Sequence, residues 1–360
     1  MLRSWLLRSL AAMVVLVLVS AVGFEAGRRY PFEVLRRFLP APSNDFWTRT
    51  DPPPFLVYEA AVQAVDDKVF VFGGFSDLDR HASSAVWVYD RAARVWTRRA
   101  DMTTSRTHVN AALVGRGVWF AGGFVGQHPG PATDEVWRYD VDQDRWTAGP
   151  PLPEVRGGGA LVALDERLHY FGGYRADRNT GAGDHWILDL AAPEAERRWV
   201  AAAPMPMPRG HITGAALGGK LYAIGGAIGH DPYQVDIDLV HRYDPATDQW
   251  SVVARLPAPR SHTEPSSFVW RGLIVVIGGR SRPVGIEASA EVTAYDPESD
   301  RWLALAPLPQ GRVAPIAAAI GDEILVAAGG ERNALPTARN AWLGRFERPW
   351  EPGNALPVAL

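Results

Sequence analysis

The chain has 360 residues, 47% of them hydrophobic, and a formal net charge of −3. Beyond the N-terminus its basic residues form no run, which argues against a nucleic-acid partner. It has no cysteine, which excludes disulfides, thiolate metal sites and thiol redox chemistry.

The N-terminal segment MLRSWLLR carries Arg3 and Arg8, and Leu10 to Phe24 is a mostly apolar stretch. As a helix this stretch is about 22 Å long, against a hydrocarbon core of about 30 Å, so it reads as a secretory signal or as an anchor lengthened by Trp5 to Leu7. Ala21-Val22-Gly23 would serve for cleavage. Arg28, Arg29, Arg36 and Arg37 among Tyr30, Phe32 and Phe38 would suit a lipid headgroup surface, which favours the uncleaved anchor. The arginines after the helix outnumber those before it, which argues for a cytoplasmic C-terminal part. The very short N-terminal tail argues for an exported, periplasmic one, the orientation preferred here. The expected organisation is an anchor helix and linker over 1–43, with one domain over 44–360.

From Trp47 onward the sequence repeats. VFVFGG, VWFAGG, LHYFGG, LYAIGG, IVVIGG and ILVAAGG place their first glycines at Gly73, Gly122, Gly172, Gly225, Gly278 and Gly329, in steps of 49, 50, 53, 53 and 51 residues. A period near 50 residues means stacked supersecondary units. In the fourth unit Thr213 to Leu217 alternates as a strand, Gly218-Gly219-Lys220 turns, and Leu221 to Ile224 returns into the glycine pair. Leu239 to Tyr243 and Trp250 to Val253 give a third and a fourth strand. Each unit is therefore predicted to be a four-stranded antiparallel meander.

Outer columns repeat as well. Tyr-Asp recurs at 89–90, 139–140, 243–244 and 295–296, with Leu188-Asp189 in the third unit and no equivalent at Gly344-Arg345. Trp follows at 96, 146, 199, 250, 302 and 350, and seven residues later comes Pro, except at Thr103. A tryptophan at a fixed place in every unit is expected to pack one sheet on the next.

The glycine pair, Tyr-Asp and Trp, six times in phase, resemble the kelch family of β-propellers. The resemblance covers Trp47 to Pro357 and implies an all-β fold: a six-bladed kelch β-propeller of four-stranded antiparallel blades, here preceded by one N-terminal hydrophobic helix. Two closures of the ring are open. Trp47, with Pro54 seven residues on, looks like a spare fourth strand that could complete the last blade; alternatively Trp342 to Pro357 closes that blade locally. Loop entropy favours the local hairpin.

In such a blade the loop entering strand one and the loop joining strands two and three open on one face, where kelch domains commonly bind ligand. The entering loops carry Arg106, Arg156, Arg209, Arg260 and Arg312, and two residues later come His108, Gly158, His211, His262 and Ala314; the first unit has Val57-Tyr58-Glu59 instead, with Ala60 at the histidine position. The resemblance implies a structural role for the arginines as readily as a ligand-facing one, and it places the histidines toward the ligand. The expected ligand-binding set is Arg106, His108, Arg156, Arg209, His211, Arg260, His262, Arg280 and Arg312, with further rim residues such as Phe75, Phe124, Tyr174 and His230. A metal set of His211, His262 and Glu264 is disfavoured, because no HxH or HExxH spacing occurs and a ring is expected to hold equivalent positions apart. No cofactor is expected.

No nucleophile elbow, phosphate loop or zinc-hydrolase motif appears. The leading expectation is a membrane-anchored recognition module for a polar, carbohydrate or anionic ligand or for a protein. The alternative is a carbohydrate-active enzyme like the kelch sialic acid mutarotase, which needs only an acid–base pair supplied by Glu59, Glu264 or Glu331. The family's copper oxidases are excluded, since their cofactor needs a cysteine.

Overall fold

Short runs of β-branched and aromatic residues, each broken by a tight turn, fold into six sheets of four antiparallel strands. The structure, a computed structural model, describes residues 46–230, 234–281, 287–331 and 337–345. The expected anchor helix and linker over 1–43, and Trp350 with Pro357, lie outside these residues. Among the described residues there is no α-helix, and no helix is long and apolar enough to cross a membrane.

Blade one comprises Ala61–Val65, Lys68–Phe72, Val86–Asp90 and Val95–Arg99. Blade four comprises Thr213–Leu217, Lys220–Ile224, Val240–Asp244 and Gln249–Val252, close to the sequence expectation. Blades two, three and five repeat the meander between residues 111–149, 160–202 and 267–304. Apolar side chains of neighbouring sheets interlock between blades, as where Phe70, Phe72 and Val88 meet Val118, Phe120 and Tyr139.

The sixth blade corrects the expected closure. Ile316–Ile320, Glu323–Ala327 and Ala341–Arg345 are its first three strands, and its fourth is Trp47–Thr50, with Trp47 opposite Gly344 and Thr50 opposite Ala341. The loop-entropy argument fails because the outer strand is recognised by an interblade contact that Trp47 supplies. The Trp47 indole donates to the Ala306 carbonyl at 3.1 Å, as Trp146 does to Ala100, Trp250 to Ala203 and Trp302 to Ala254. Buried pairing plus an anchored tryptophan outweighs a loop penalty that grows only with the logarithm of length.

The same contacts explain the Tyr-Asp column. The phenols of Tyr139, Tyr243 and Tyr295 donate to Asp144, Asp248 and Asp300, and these carboxylates accept the backbone N–H of Ala100, Ala203 and Ala254. One backbone unit is thus held at both its N–H and its carbonyl by the next blade. Blade three has Leu188 in place of the tyrosine, and its Trp199 bonds to Pro150, which has no N–H to hold.

The glycine pairs join blades at the opposite end. The N–H of Gly226 donates to the Arg260 carbonyl at 2.8 Å, and a Cβ on Gly225, at φ +55°, would stand 2.3 Å from that same oxygen. Only glycine admits the neighbouring backbone so closely.

Candidate functional site

The loops entering strand one and those following the glycine pairs meet in every blade. Tyr58 bridges Phe75, Gly157 bridges Tyr174, Gly210 bridges Ala227, Ser261 bridges Arg280 and Val313 bridges Gly330, while Arg106–Thr107 pairs with Phe124–Val125. This pairing fixes the next residue of each entering loop, and that residue is the column Glu59, His108, Gly158, His211, His262 and Ala314. All six are left-handed, with φ of 55°, 54°, 65°, 48°, 57° and 46°. Neighbouring members are linked, Gly158 N–H to the His108 carbonyl and Ala314 N–H to the His262 carbonyl.

The five arginines before this column are taken up by the scaffold. They are 0–1% exposed and turn into their own blades. Arg209 bonds the carbonyls of Pro206, Met207, Ala223 and Gly225, and burial pushes its guanidinium down to about 10. Arg106 pairs with Glu135, Arg156 with Glu154 and Asp184, Arg260 with Glu291, and Arg312 with Asn340 and Gln310. Arg156 and Arg312 also lie over the Trp186 and Trp342 rings. Glu331 stands beside Arg312, 3.6 Å away, apart from the histidines.

The column itself converges, which corrects the expectation that the ring holds these positions apart. The two oxygens of Glu59 face two imidazoles from different blades: His108 Nε2 at 2.8 Å and His262 Nε2 at 3.1 Å. His211 stacks on His262 with ring centroids 3.9 Å apart, and His230 approaches His108 to 3.4 Å between Nε2 atoms. Glu59, His108, His211, His262 and His230 are 2–8% exposed. Phe75, Phe124 and Tyr174 wall the cluster, Phe124 edge-on to His108 at 4.9 Å and Tyr174 against His230 at 4.9 Å. The separation fails to exclude contact because Glu59, His108, His211 and His262 turn their side chains together from left-handed positions, and long imidazoles span what the backbones leave.

Further buried groups orient the cluster. Ser261 Oγ donates to Asp236 Oδ1 at 2.7 Å and lies 2.7 Å from His262 Nδ1. Gln234 donates to both Asp236 and Ser261, and Arg280 pairs with Asp236 at 3.1 Å. Glu264 Oε1 lies 3.2 Å from His211 Nδ1. Asp236, Gln234 and Ser261 were not singled out in the sequence; the one signal was Ser261, which stands between Arg260 and His262 where the other units have Thr107, Gly157, Gly210 and Val313.

These surroundings set the charges. Burial pushes His262 down to about 3, helped by His211 and Arg280, and His211 is lowered by burial and then by His108. Burial acts to raise the Glu59 carboxyl, yet His108 holds it well below the ordinary range. Glu264 is raised by burial. The site thus combines a carboxylate, a carboxyl that resists ionisation, and two imidazoles, His211 and His262, kept neutral.

The KLHDC2/KLHL20/DRC7 Kelch-repeats domain model matches residues 108–330 and the Kelch motif model residues 57–103. The chain is similar to Kelch-like protein 34 of Homo sapiens, 30% identical over 72% of this chain and 40% of that one. It is also similar to Kelch-like protein 23 of Pongo abelii, 24% identical over 81% of this chain and 49% of that one. The chain spans about half the length of the curated relatives it matches. A solved structure described as "Structure of YjhT" aligns over 82% of this chain and 97% of that one, with TM-score 0.67 at 14% identity, a likeness of fold.

Proposed function

The chain belongs to the kelch-repeat family, and we propose that it works as a binding module whose recognition face is the one carrying the left-handed column. The observation that carries this reading is local. A non-glycine residue in the left-handed region is disfavoured by about 1–2 kcal/mol, and glycine, already present as Gly158, would relax the other five positions. Yet four of the six carry an ionisable side chain, Glu59, His108, His211 and His262, all turned to one point. The bridging backbone is similar in the units that have Gly158 or Ala314, so the fold does not ask for those groups. A ligand does. Polar and anionic groups suit a face that offers imidazoles, Arg280 and an aromatic wall.

The proposal includes the placement read from the sequence: residues 1–43 hold the propeller at a membrane, on its extracytoplasmic side. The test is a thermal-shift screen of the full chain in detergent against glycans, acidic sugars and acidic peptides. A ligand is expected to raise the melting temperature in the wild type and to leave His108→Ala unmoved. Stabilisation that persists in His108→Ala and in Arg280→Ala would place recognition elsewhere.

A second reading, a mutarotase-like enzyme, is favoured by one observation: Glu59 and Glu264 sit in one cluster with their ionisations pushed apart, the pattern of a base and an acid. Equilibration of a sugar anomer by the full chain, lost in Glu264→Gln, would support it. Unaltered anomer kinetics across a panel of aldoses and acidic sugars would remove it.

A further inference from the structure

We propose that Glu59, His211 and His262 hold a divalent first-row transition ion, zinc or a metal of like preference, on the axis of the ring. The inference goes beyond the binding reading, which requires no metal.

Its geometry comes from three blades. One carboxylate oxygen and two imidazole nitrogens lie within 4.8 Å of one another, all buried. A tetrahedral ion with ligands at about 2.0–2.1 Å would set them about 3.4 Å apart and in the plane of each ring, so the stacked His211 and His262 side chains must turn out of their stack to share it. Two nitrogens and an oxygen without a thiolate suit zinc, nickel or cobalt.

The outer contacts are those of ligating histidines. A hydroxyl has one hydrogen, and that of Ser261 goes to Asp236, so toward His262 the Ser261 oxygen can only accept. His262 therefore carries its proton on Nδ1, and its Nε2 presents a lone pair. That lone pair faces Glu59 Oε1 at 3.1 Å, acceptor against acceptor, with both residues buried. A cation between them turns this opposition into two bonds. His211 follows the same plan: its Nδ1 is held by the Glu264 carboxyl, which leaves Nε2 for the metal. A carboxylate or its relay behind each ligating imidazole fixes the tautomer and raises its basicity. His108, beside the other Glu59 oxygen, borders the fourth position.

The test uses the full chain in detergent, stripped with EDTA and titrated with zinc and then cobalt chloride, followed by calorimetry, metal analysis after dialysis and the visible cobalt spectrum. One equivalent per chain is expected, with a raised melting temperature. Glu59→Gln and His262→Ala are expected to abolish it, and Ser261→Ala to weaken it about 10–100-fold. His81→Ala, an exposed histidine paired with Asp77, is expected to bind as the wild type does. Absence of a stoichiometric equivalent in the wild type would overturn the proposal, as would its retention in Glu59→Gln/His262→Ala. Should that double variant fail to fold, unweakened binding by Ser261→Ala would count equally against it.

Discussion

The outer edge of the ring and its inner loops are built on opposite plans. At the outer edge, Tyr243, Asp248 and Trp250 hold both backbone groups of Ala203, and the same clasp recurs in blades two and five with different sequence around it. Every polar atom of that clasp has a neutral or charge-assisted partner, and three of the six units repeat it. At the inner loops the units disagree, the backbone is held left-handed, and ionisable groups from four blades are brought together out of water. Agreement marks what each blade needs in order to stack. Disagreement under strain marks what the molecule does only once.

The comparison can be broken most severely at the seam. Trp47→Ala removes the one outer tryptophan that arrives from the other end of the chain, and it should cost about 3–5 kcal/mol in urea unfolding. A loss below about 1 kcal/mol would mean that the last blade is closed by something other than the N-terminal strand.

A second test titrates the scaffold away from both ends. His169 and His185 lie 3.0 Å apart between blades three and four, and burial pushes them down to about 3 and about 4. Both folded values lie below the unfolded one near 6.5, so the unfolded chain binds more protons over that interval. Stability is complete above about pH 6.5 and falls as the solution is acidified toward 4. The loss at pH 5 should be about 2 kcal/mol per histidine. His169→Gln/His185→Asn should flatten the dependence of melting temperature on pH, and an unchanged slope would show that these rings are charged within the fold. The smallest effect is expected from Tyr243→Phe, which removes one hydrogen bond of the clasp and should cost about 1 kcal/mol by denaturant titration. A null result would leave Trp250 and Asp248 to carry that interface alone.

What could be read in the sequence follows the same division. The four strands, the glycine pairs and the Trp column depend on neighbours a few residues away, so their signals are local and recur in phase. The closure of the ring was misjudged because loop entropy was weighed without the interblade contact that Trp47 makes to Ala306. The inner cluster was legible only as a column in which His108, His211 and His262 stood out; the first unit was aligned on Ala60, one residue past the Glu59 that joins them. That they touch depends on the radius of a closed ring, which no stretch of fifty residues encodes. Asp236 and Gln234 came from a loop without repeat, and nothing in the sequence tied them to Ser261.

The N-terminal strand has one more consequence, in time rather than in space. Synthesis makes Trp47 first among the residues of the sixth blade and Ala341–Arg345 last, and the carbonyl its indole will find lies 259 residues further along the chain. Blades one to five can form as they emerge, each on its predecessor, while the first strand waits with an open hydrogen-bonding edge. The final step of folding is then a single long-range capture, and any partner that bound the strand of Trp47 early would hold the propeller open.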